Sequence, residues 1–353
     1  MANYDTEVVR LDPEHPDPAV MERAGEMLRA GELVAFPTET VYGLGANALD
    51  AESVARIFEA KGRPATDPLI VHLADLAGVE ALVAGSLPQA AYTLGEAFWP
   101  GPLTLVLPRG SAVPLNVTAG LDTVAVRMPA HPVARALILA AGTPIAAPSA
   151  NLFTHTSPTR AADVVADLGG RVRLILDAGP TIHGVESTVV DLCSDPPRVL
   201  RPGAVTLEAL RAVLPGLAAP PPPGVSLPGE QRSPGTMLKH YAPRAEVVLL
   251  DGDDPARVRA GLAEAVTAAR AEGRKVGLLL ADDDLAALDM LPPGRDLVRM
   301  SLGAEGDLEG QARRLFAALR DLDAAGVSVI VVRAPATEGL GLTIRDRLVR
   351  AAR

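Results

Sequence analysis

The sequence is poor in the residues that build covalent or metal-based frameworks. It contains one cysteine, Cys193, among 353 residues, and aromatic residues make up 3% of the chain. A single thiol excludes an internal disulfide framework and a cysteine-rich zinc site. A covalent cysteine mechanism would rest on Cys193 alone, which ends a strand-like segment with no cation beside it. The chemistry must therefore come from other side chains.

Positive charge and long apolar runs are also scarce. The formal net charge is −10, which disfavours a protein whose whole surface binds nucleic acid and leaves open a local basic cleft. No apolar stretch approaches the roughly 20 residues that span a bilayer. The first residues, MANYDTEVVRLDPEHP, lack the basic start and apolar run of a signal peptide. We therefore expect a cytoplasmic protein with no membrane partner.

Lysine is the rarest cation. Only Lys61, Lys239 and Lys275 are lysines, whereas 30 of the 33 basic residues are arginines. Lys61 opens the segment KGRP, in which Arg63 is the second cation. A compact ammonium and a planar guanidinium could together bind a nucleotide's phosphates. Alternatively, the two cations only complement the dipole of a helix C-terminus. The survival of lysine against the arginine bias favours the phosphate role.

Hydrophobic periodicity predicts an α/β protein. Asp50 is a good N-cap for the helical pattern AESVARIFEAKG, and TVAVR at residues 123–127 reads as a strand. Ser157 or Thr159 is expected to cap a helix over 160–168. The chain divides into three predicted parts, which are a catalytic domain at 1–214, a proline-rich linker at 215–243 ending in SPGTMLKHYAP, and a smaller Rossmann-like parallel α/β domain at 244–353.

Polar residues follow several predicted strands. The stretch AFPTETVYGLG at 35–45 places two threonine hydroxyls and a carboxylate where a strand meets a loop, which is where open α/β folds bind ligands. An ordinary capped turn is the alternative. His72 also follows a strand, although a lone histidine is more often structural. Arg127 ends TVAVR and could hold a carboxylate bidentately, or could be a surface arginine.

Hydroxyl-rich loops complete the inventory. PSAN at 148–151 and SPT at 157–159 could form a phosphate or ribose pocket, or only cap the next helix. Ser187 begins the strand in ESTVVD, and Arg201 ends another. The sequence shows neither a serine–histidine–aspartate arrangement nor HExxH, CxxC or a Walker-type motif. Cations and hydroxyls without a nucleophile suit a reaction in which the substrates supply nucleophile and leaving group, and the protein aligns them.

Taken in order, these segments closely resemble one family. AFPTETVYGLG, KGRP, PLIVHL, TVAVRMP, PSAN with SPT, ESTVVD, LRPGA and SPG…HYAP are similar to the motifs of the threonylcarbamoyl-AMP synthases, in the long form with a YrdC-like catalytic domain. The motifs that carry the resemblance lie within roughly residues 20–243. After residue 243 the chain is similar to the family in its length, in its strand–helix alternation and in the ending EGLGLTIRDRL.

The resemblance implies a fold and a reaction. It implies a YrdC-like twisted mixed sheet with flanking helices, followed by the smaller Rossmann-like domain. The reaction joins L-threonine, bicarbonate and ATP, with Mg²⁺, into threonylcarbamoyl-AMP and pyrophosphate. A partner enzyme, the tRNA threonylcarbamoyl transferase complex, then modifies the adenosine beside the anticodon to threonylcarbamoyladenosine. No stable nucleic-acid binding by this chain is required.

It also implies roles for individual residues. The threonine pocket would comprise Thr40, His72, Arg127 and Ser187, with Arg127 on the substrate carboxylate. Lys61 and Arg63 would be the catalytic cations on the triphosphate, and no residue is expected to bind a metal. Further ATP contacts would be Asp67, Thr123, Ser149, Ser157, Arg201 and Tyr241, the last as a lid residue from the linker.

The sequence departs from the family pattern in places. Asp67 stands where the family has asparagine, and Phe153 and Thr154 replace a serine and a glycine. Such differences leave open whether Asp67 meets ATP through its side chain or its backbone. The linker motif lacks a basic and an aromatic residue that many relatives carry, so Lys239 is its only ammonium.

Two other functions compete with this interpretation. An RNA-binding YrdC-like module without adenylylation activity is disfavoured by the acidic charge and by the lack of interleaved basic and aromatic residues. The carbamoyl-transfer proteins of hydrogenase maturation contain a similar domain, but their paired CxxC motifs are excluded here. The C-terminal domain has acids in VVLLDGDDPAR where a phosphate-binding glycine loop would lie, and we expect it to support or gate the linker.

Overall fold

The computed structural model describes residues 4–222, 232–233, 241–252 and 254–353. The chain forms two compact units. One comprises Met1–Phe153 with Ser157–Thr236, and the other Thr154–Thr156 with Met237–Arg353. Much of the predicted linker, including Lys239, lies outside the described residues, so the three-part division stays a prediction.

The N-terminal unit is a mixed sheet with helices packed against it. Its strands are β1 (Glu7–Arg10), β2 (Val34–Pro37), β3 (Tyr42–Asn47), β4 (Ile70–His72), β5 (Leu103–Pro108), β6 (Thr123–Arg127), β7 (Ile145–Ala146), β8 (Leu174–Asp177), β9 (Thr188–Asp191) and β10 (Arg198–Arg201). Its helices are α1 (Pro18–Arg29), α2 (Ala51–Lys61), α3 (Leu76–Leu82), α4 (Gln89–Phe98), α5 (Pro132–Ala141), α6 (Ala161–Leu168) and α7 (Leu207–Val213).

Local sequence explains both ends of α2. The Asp50 carboxylate accepts a hydrogen bond from the Glu52 amide at 3.0 Å, which confirms the predicted cap. The helix stops at Gly62, whose φ of 64° is the left-handed conformation that glycine adopts without strain. Lys61 is therefore the last helical residue, and Arg63 lies just beyond it.

The predicted cap of α6 is wrong. Arg160 occupies the N-cap position, rather than Ser157 or Thr159. The Asp163 carboxylate reaches back to accept hydrogen bonds from the amides of Thr159 at 3.0 Å and Arg160 at 3.1 Å. The acid at the third helical position thus accepts from the amides of the N-cap residue and of the residue before it, as the acid of a capping box does.

The ten strands lie in the order β1-β8-β2-β3-β7-β4-β6-β5-β9-β10, with parallel and antiparallel neighbours mixed. The opening of AFPTETVYGLG is a strand, as predicted, and the stretch continues as a hairpin. β2 and β3 pair antiparallel from Val34↔Gly45 to Pro37↔Tyr42. Residues 38–41 form the connecting turn, so the PTET motif is held at both ends by the sheet.

Register brings polar residues together near the centre of this sheet. His72 on β4 pairs with Arg127 on β6, and Arg127 pairs with Thr104 on β5. On the next strand pair Leu103 lies opposite Thr188, the residue after Ser187. The surrounding positions of β4, β5 and β6 are buried apolar residues, so the polar groups are fixed on a rigid support.

The C-terminal unit contains a four-stranded parallel sheet. Its strands are β11 (Glu246–Leu250), β12 (Val276–Leu280), β13 (Leu297–Ser301) and β14 (Val329–Arg333), in the order β11-β14-β12-β13. Its helices are α8 (Pro255–Ala271), α9 (Asp282–Ala287), α10 (Leu308–Ala324) and α11 (Leu340–Ala351). The predicted fold class, a mixed α/β sheet followed by a smaller parallel α/β unit, is confirmed.

Candidate active site

The Arg127 side chain is the centre of one polar cluster. Its Nη2 donates to Glu39 Oε1 at 2.6 Å, its Nη1 to Thr40 Oγ1 at 2.9 Å, and its Nε to the Gly101 carbonyl at 3.3 Å. Glu39, Thr40 and Arg127 are all buried. With His72, which is paired to Arg127 across the strands, they form what we call the Arg127 pocket. The structure thus brings together three of the four predicted threonine-binding residues.

The Glu39 carboxylate is ionised in this setting. Burial alone would raise the pKa of Glu39, but the charge and the hydrogen bond of Arg127 outweigh it and hold that pKa below its usual value. The second oxygen, Oε2, is buried and has no hydrogen-bond partner within the described part of the chain. The pocket therefore holds a fixed negative charge with one unused acceptor.

His72 is neutral at physiological pH. Burial, and then the charge of Arg127, lower its pKa to about 3, although Glu39 acts in the opposite direction. Its ring lies edge-on to Phe36 with the centroids 6.3 Å apart. Its Nδ1 is buried without a hydrogen-bond partner among the residues that the structure describes. A neutral imidazole with a free nitrogen can bind a polar ligand without adding charge.

Ser187 belongs to a second cluster beside this pocket. Its hydroxyl lies 2.8 Å from Thr104 Oγ1, and Arg201 Nη2 donates to its carbonyl at 2.9 Å and its hydroxyl at 3.1 Å. Thr104 pairs with Arg127 in the sheet, so the two clusters adjoin. Behind them, a Cβ added to Gly203 would meet the Thr188 nitrogen at 2.3 Å. Only a glycine lets the RPG segment approach this closely.

Lys61 is buried and held by main-chain oxygens. Its Nζ donates to the carbonyls of Ser149 and Asn151, each at 2.6 Å. The Phe153 amide in turn donates to the Lys61 carbonyl at 2.9 Å. The lysine therefore ties the end of α2 to the PSAN loop, which brings together two residues predicted to contact ATP, Lys61 and Ser149.

Arg63 and Asp67 form a short buried unit. Arg63 Nη2 lies 3.0 Å from Asp67 Oδ2 as an ion pair, and Nη2 also donates to the Pro68 carbonyl at 2.7 Å. Its Nε donates to the Asp67 carbonyl at 3.2 Å. Asp67 Oδ2 lacks hydrogen-bond geometry despite the ion pair, so we regard the contact as mainly electrostatic. The aspartate partly neutralises one of the two predicted phosphate cations.

Ser157 and Thr123 occupy separate positions. The Ser157 hydroxyl donates to Glu186 Oε1 at 2.5 Å, which links it to the residue before Ser187. Thr123 begins β6 and Arg127 ends it, so about 13 Å of extended chain separates them at roughly 3.3 Å per residue. Thr123 Oγ1 is buried without a partner in the described ranges. The structure does not place Thr123 in the Arg127 pocket.

Comparison with known proteins identifies the family. The family model described as "Telomere recombination" (Sua5, YciO and YrdC) matches residues 26–203, and the model "Threonylcarbamoyl-AMP synthase, C-terminal domain" matches residues 205–353. The threonylcarbamoyl-AMP synthase of Pyrococcus abyssi is 45% identical over 93% of each chain. That of Bacillus subtilis is 45% identical over 95% of this chain and 93% of its own.

The chain belongs to the threonylcarbamoyl-AMP synthase family. A crystal structure of P. abyssi Sua5 complexed with L-threonine matches with a TM-score of 0.90 and 43% identity over 98% of both chains. The E. coli YciO structure, 24% identical with a TM-score of 0.51, shares the fold over 56% of this chain and 96% of its own. The family, the function of a threonylcarbamoyl-AMP synthase and the nucleotidyltransferase class, all predicted from the motifs, are confirmed.

Tyr241 of this synthase lies in the C-terminal unit. Its ring stacks on Phe316 with the centroids 5.5 Å apart, and the Arg347 guanidinium lies 4.8 Å from its centroid. The residue is buried and has a φ of 61°, a conformation that non-glycine residues seldom adopt. His240, the residue before it in the HYAP motif, falls outside the described residues. Its predicted role on the nucleotide stays a prediction.

The C-terminal unit contains a large cavity of about 730 Å³, which we call the C-terminal cavity. All four strands contribute to it at their carboxyl ends, through Asp251, Leu280, Leu302 and Arg333. Asp284 accepts from Arg259 Nε at 2.7 Å and from Arg333 Nη1 at 2.9 Å. Arg345 is paired in the same way with Asp251. The guanidinium groups that line this cavity are therefore already neutralised.

Further features of the described residues bear on other functions. In that part of the chain, no group of three or more histidine, cysteine, aspartate or glutamate residues is arranged to hold a metal ion. Burial, and then Asp191, raise the pKa of Cys193 to about 11, which disfavours a thiolate nucleophile. None of the described helices is long and apolar enough to cross a membrane.

Sequence reasoning missed three partners of the predicted residues. Glu39 is the carboxylate of the quoted PTET motif, where it could be considered either to orient Thr40 or to cap the turn. Glu186 lies within ESTVVD and could have been considered on the same ground. Thr104 gave one signal, because it is the polar residue in the apolar strand LTLVL.

Proposed function

We propose that the Arg127 pocket binds L-threonine and that the region of Lys61 and Arg63 binds the ATP triphosphate. The chain would then make threonylcarbamoyl-AMP and pyrophosphate from L-threonine, bicarbonate and ATP. The observation that carries this proposal is the buried Arg127 side chain, which uses three of its five N–H donors in the contacts described. Two donors remain to bind a substrate carboxylate.

The surroundings of Arg127 suit a small polar amino acid. The guanidinium fork matches the geometry of a carboxylate, and burial strengthens the interaction by excluding water. His72 contributes a neutral nitrogen, and the Ser187 hydroxyl lies in the adjoining cluster. The relative from P. abyssi has been crystallised with L-threonine, which supports the same ligand here.

The cations beyond α2 suit the triphosphate. Lys61 Nζ donates to the carbonyl oxygens of Ser149 and Asn151, which fix its position at the end of α2. Arg63 adds a guanidinium, and we propose Ser149, Ser157, Asp67, Thr123, Arg201 and Tyr241 as further ATP contacts. In-line attack on a triphosphate depends mainly on positioning and on charge neutralisation, which these side chains supply. Mg²⁺ would arrive on the phosphates as part of the substrate.

The proposed reaction forms two bonds in sequence. The neutral amine of threonine attacks bicarbonate, a C–N bond forms, and water leaves to give a carbamate. A carbamate oxygen then attacks the α-phosphorus of ATP and the bond to pyrophosphate breaks. Arg127 holds the amino acid while Lys61 and Arg63 stabilise the negative charge on the phosphates. A tRNA threonylcarbamoyl transferase, acting in the cytoplasm, would consume the product.

The test compares two lysines. Lys61→Met removes the ammonium beside the PSAN loop, whereas Lys275→Met is a matched control, because Lys275 donates to the Ala325 carbonyl in the C-terminal unit. With threonine, bicarbonate and Mg-ATP, we expect pyrophosphate release to fall about 100-fold in Lys61→Met, or about 3 kcal/mol, and to persist in Lys275→Met. If the wild type released no more pyrophosphate than Lys61→Met, the synthase assignment of this site would fail.

A further inference from the structure

Glu39 is fixed more firmly than a residue that only closes a turn. The residue is 2% exposed, and its Oε1 accepts from Arg127 Nη2 at 2.6 Å. Its main-chain carbonyl accepts from the His183 amide at 2.9 Å. The turn itself is closed by Thr38, whose hydroxyl donates to the Val41 carbonyl at 2.7 Å. Glu39 is therefore not needed to cap the turn.

Its second carboxylate oxygen has an unused hydrogen-bonding capacity. Oε2 is buried and has no hydrogen-bond partner in the described part of the chain. Buried acceptors without a donor cost free energy and are rare, so each one calls for an explanation. The same carboxylate accepts a hydrogen bond from Arg127, which we propose binds the substrate carboxylate. A hydrogen-bond donor on the bound substrate would therefore explain why Oε2 has no partner in the described chain.

We propose that Glu39 Oε2 accepts a hydrogen bond from the α-amino nitrogen of threonine. The Arg127–Glu39 ion pair then binds both charged groups of the amino acid, its carboxylate through Arg127 and its amino group through Glu39. Glu39 is then the residue that selects an α-amino acid over a carboxylic acid without the amine. The inference rests on the proposed function, and it extends that function to a residue that the predicted threonine pocket does not include.

The charges of the pocket agree with this role. Zwitterionic threonine presents a carboxylate and an ammonium two bonds apart, and the ion pair presents the complementary charges side by side. His72 is neutral and does not repel an ammonium. Because Arg127 keeps Glu39 ionised, the carboxylate is a poor proton acceptor. Glu39 therefore positions the nitrogen, which retains one N–H after the carbamate has formed.

The experiment separates amine recognition from a general effect on Arg127. Binding of L-threonine is compared by calorimetry, without ATP, with binding of the 2,3-dihydroxybutanoate that has a hydroxyl in place of the amine. Wild type should prefer threonine, and Glu39→Gln should reduce that preference at least tenfold. Glu96→Gln is the matched control, because Glu96 is exposed on α4, and should leave the preference unchanged. Thermal unfolding checks that each variant is folded.

Glu39→Asp keeps the charge and serves if the glutamine variant does not fold. It should retain threonine preference better than an equally folded neutral variant, Glu39→Ala. Equal weakening of both ligands in Glu39→Gln, with the preference intact, would overturn the inference, because Glu39 would then only orient Arg127. Failure of the wild type to bind threonine at all would instead overturn the proposed function, and the inference with it.

Discussion

The Arg127 pocket and the C-terminal cavity both contain pairs of arginine and carboxylate, but the Arg127–Glu39 pair is buried whereas the arginines of the cavity are partly exposed. In the Arg127 pocket, buried polar atoms on Glu39 and His72 are left without partners among the described residues. In the C-terminal cavity, Asp284 accepts from two arginines, and Arg333 also lies 3.1 Å from Glu305. In the C-terminal cavity the arginine and carboxylate charges are therefore paired with one another.

The comparison concerns whether the polar atoms of each region already have partners within the described chain. A satisfied polar network mainly stabilises one conformation, whereas a buried polar atom without a partner is costly and can be satisfied by a ligand. In the C-terminal unit, none of the described residues lining the cavity has a buried side-chain atom without a partner. We therefore expect substitutions in the two regions to have different effects. Those in the Arg127 pocket should weaken substrate binding, and those in the C-terminal cavity should lower the free energy of unfolding.

The largest expected effect is on Arg127. Arg127→Ala should lower kcat/KM for threonine about 1000-fold, near 4 kcal/mol, because it removes the carboxylate fork and leaves Glu39 buried without its cation. Arg345→Ala, the same change in the C-terminal cavity, should leave kcat/KM within about threefold. Steady-state kinetics on both variants provide the measurement.

Arg127→Lys preserves the charge, and it should still lose most of the activity because lysine lacks the planar fork. Equal effects of Arg127→Ala and Arg345→Ala would break the comparison.

Asp284 should give the opposite result. Asp284→Ala leaves Arg333 and Arg259 without their shared carboxylate. It should destabilise the C-terminal unit by about 2 kcal/mol, because two charge-assisted hydrogen bonds to a buried carboxylate are lost, as measured by denaturant unfolding. Asp283→Ala, at an exposed neighbour, should change stability by less than about 0.5 kcal/mol. Threonine binding by folded Asp284→Ala should match the wild type, and a loss of binding would contradict the division of roles.

The smallest expected effect concerns pH. The pKa of His72 is about 3 in the folded protein and near 6.5 in the unfolded chain, so the unfolded state binds the extra proton first. Stability is therefore full above pH 6.5 and falls as the pH drops towards 3, by up to about 1.4 kcal/mol per pH unit. His72→Gln should remove this slope between pH 6.5 and 5, above the range in which Glu39 titrates.

His131 also has a pKa lowered by burial, so only the difference between wild type and His72→Gln is informative. The measurement is the free energy of unfolding at each pH. An identical slope in both proteins would show that His72 is not buried as a neutral ring, and the pocket would then lack one of its two unpartnered atoms.

Local patterns predicted much of the fold. The Asp50 cap, the strand TVAVR and the alternation after residue 246 all depend on neighbouring residues, and each is found in the structure. β3 was missed because YGLGAN contains two glycines, which weaken a strand signal. Gly45 is explained only by its distant neighbours, since a Cβ there would meet Ile145 and Phe36 at 2.9 Å.

The sequence predicted which residues belong to the candidate site, but not the hydrogen bonds that join them. The motifs selected Arg127 and Lys61, whereas their partners are far away in the chain. Arg127 contacts residues 87 and 88 positions earlier, and Lys61 contacts carbonyls 88 and 90 positions later. One sequence contains no information on such pairings, because they depend on strand order and register. The unused oxygen of Glu39 could be recognised only from coordinates.

The close approach at Gly203 has a consequence for how motifs are interpreted. Its α-hydrogen faces the peptide between Ser187 and Thr188 at a distance that no side chain tolerates. A screen of all substitutions would therefore score Gly203 as intolerant as Arg127, although what it contributes is room for its neighbours. Intolerance to substitution in the RPG motif measures the steric clearance beside the Ser187–Thr188 peptide. A search for substrate contacts by mutational sensitivity alone would wrongly count this glycine among them.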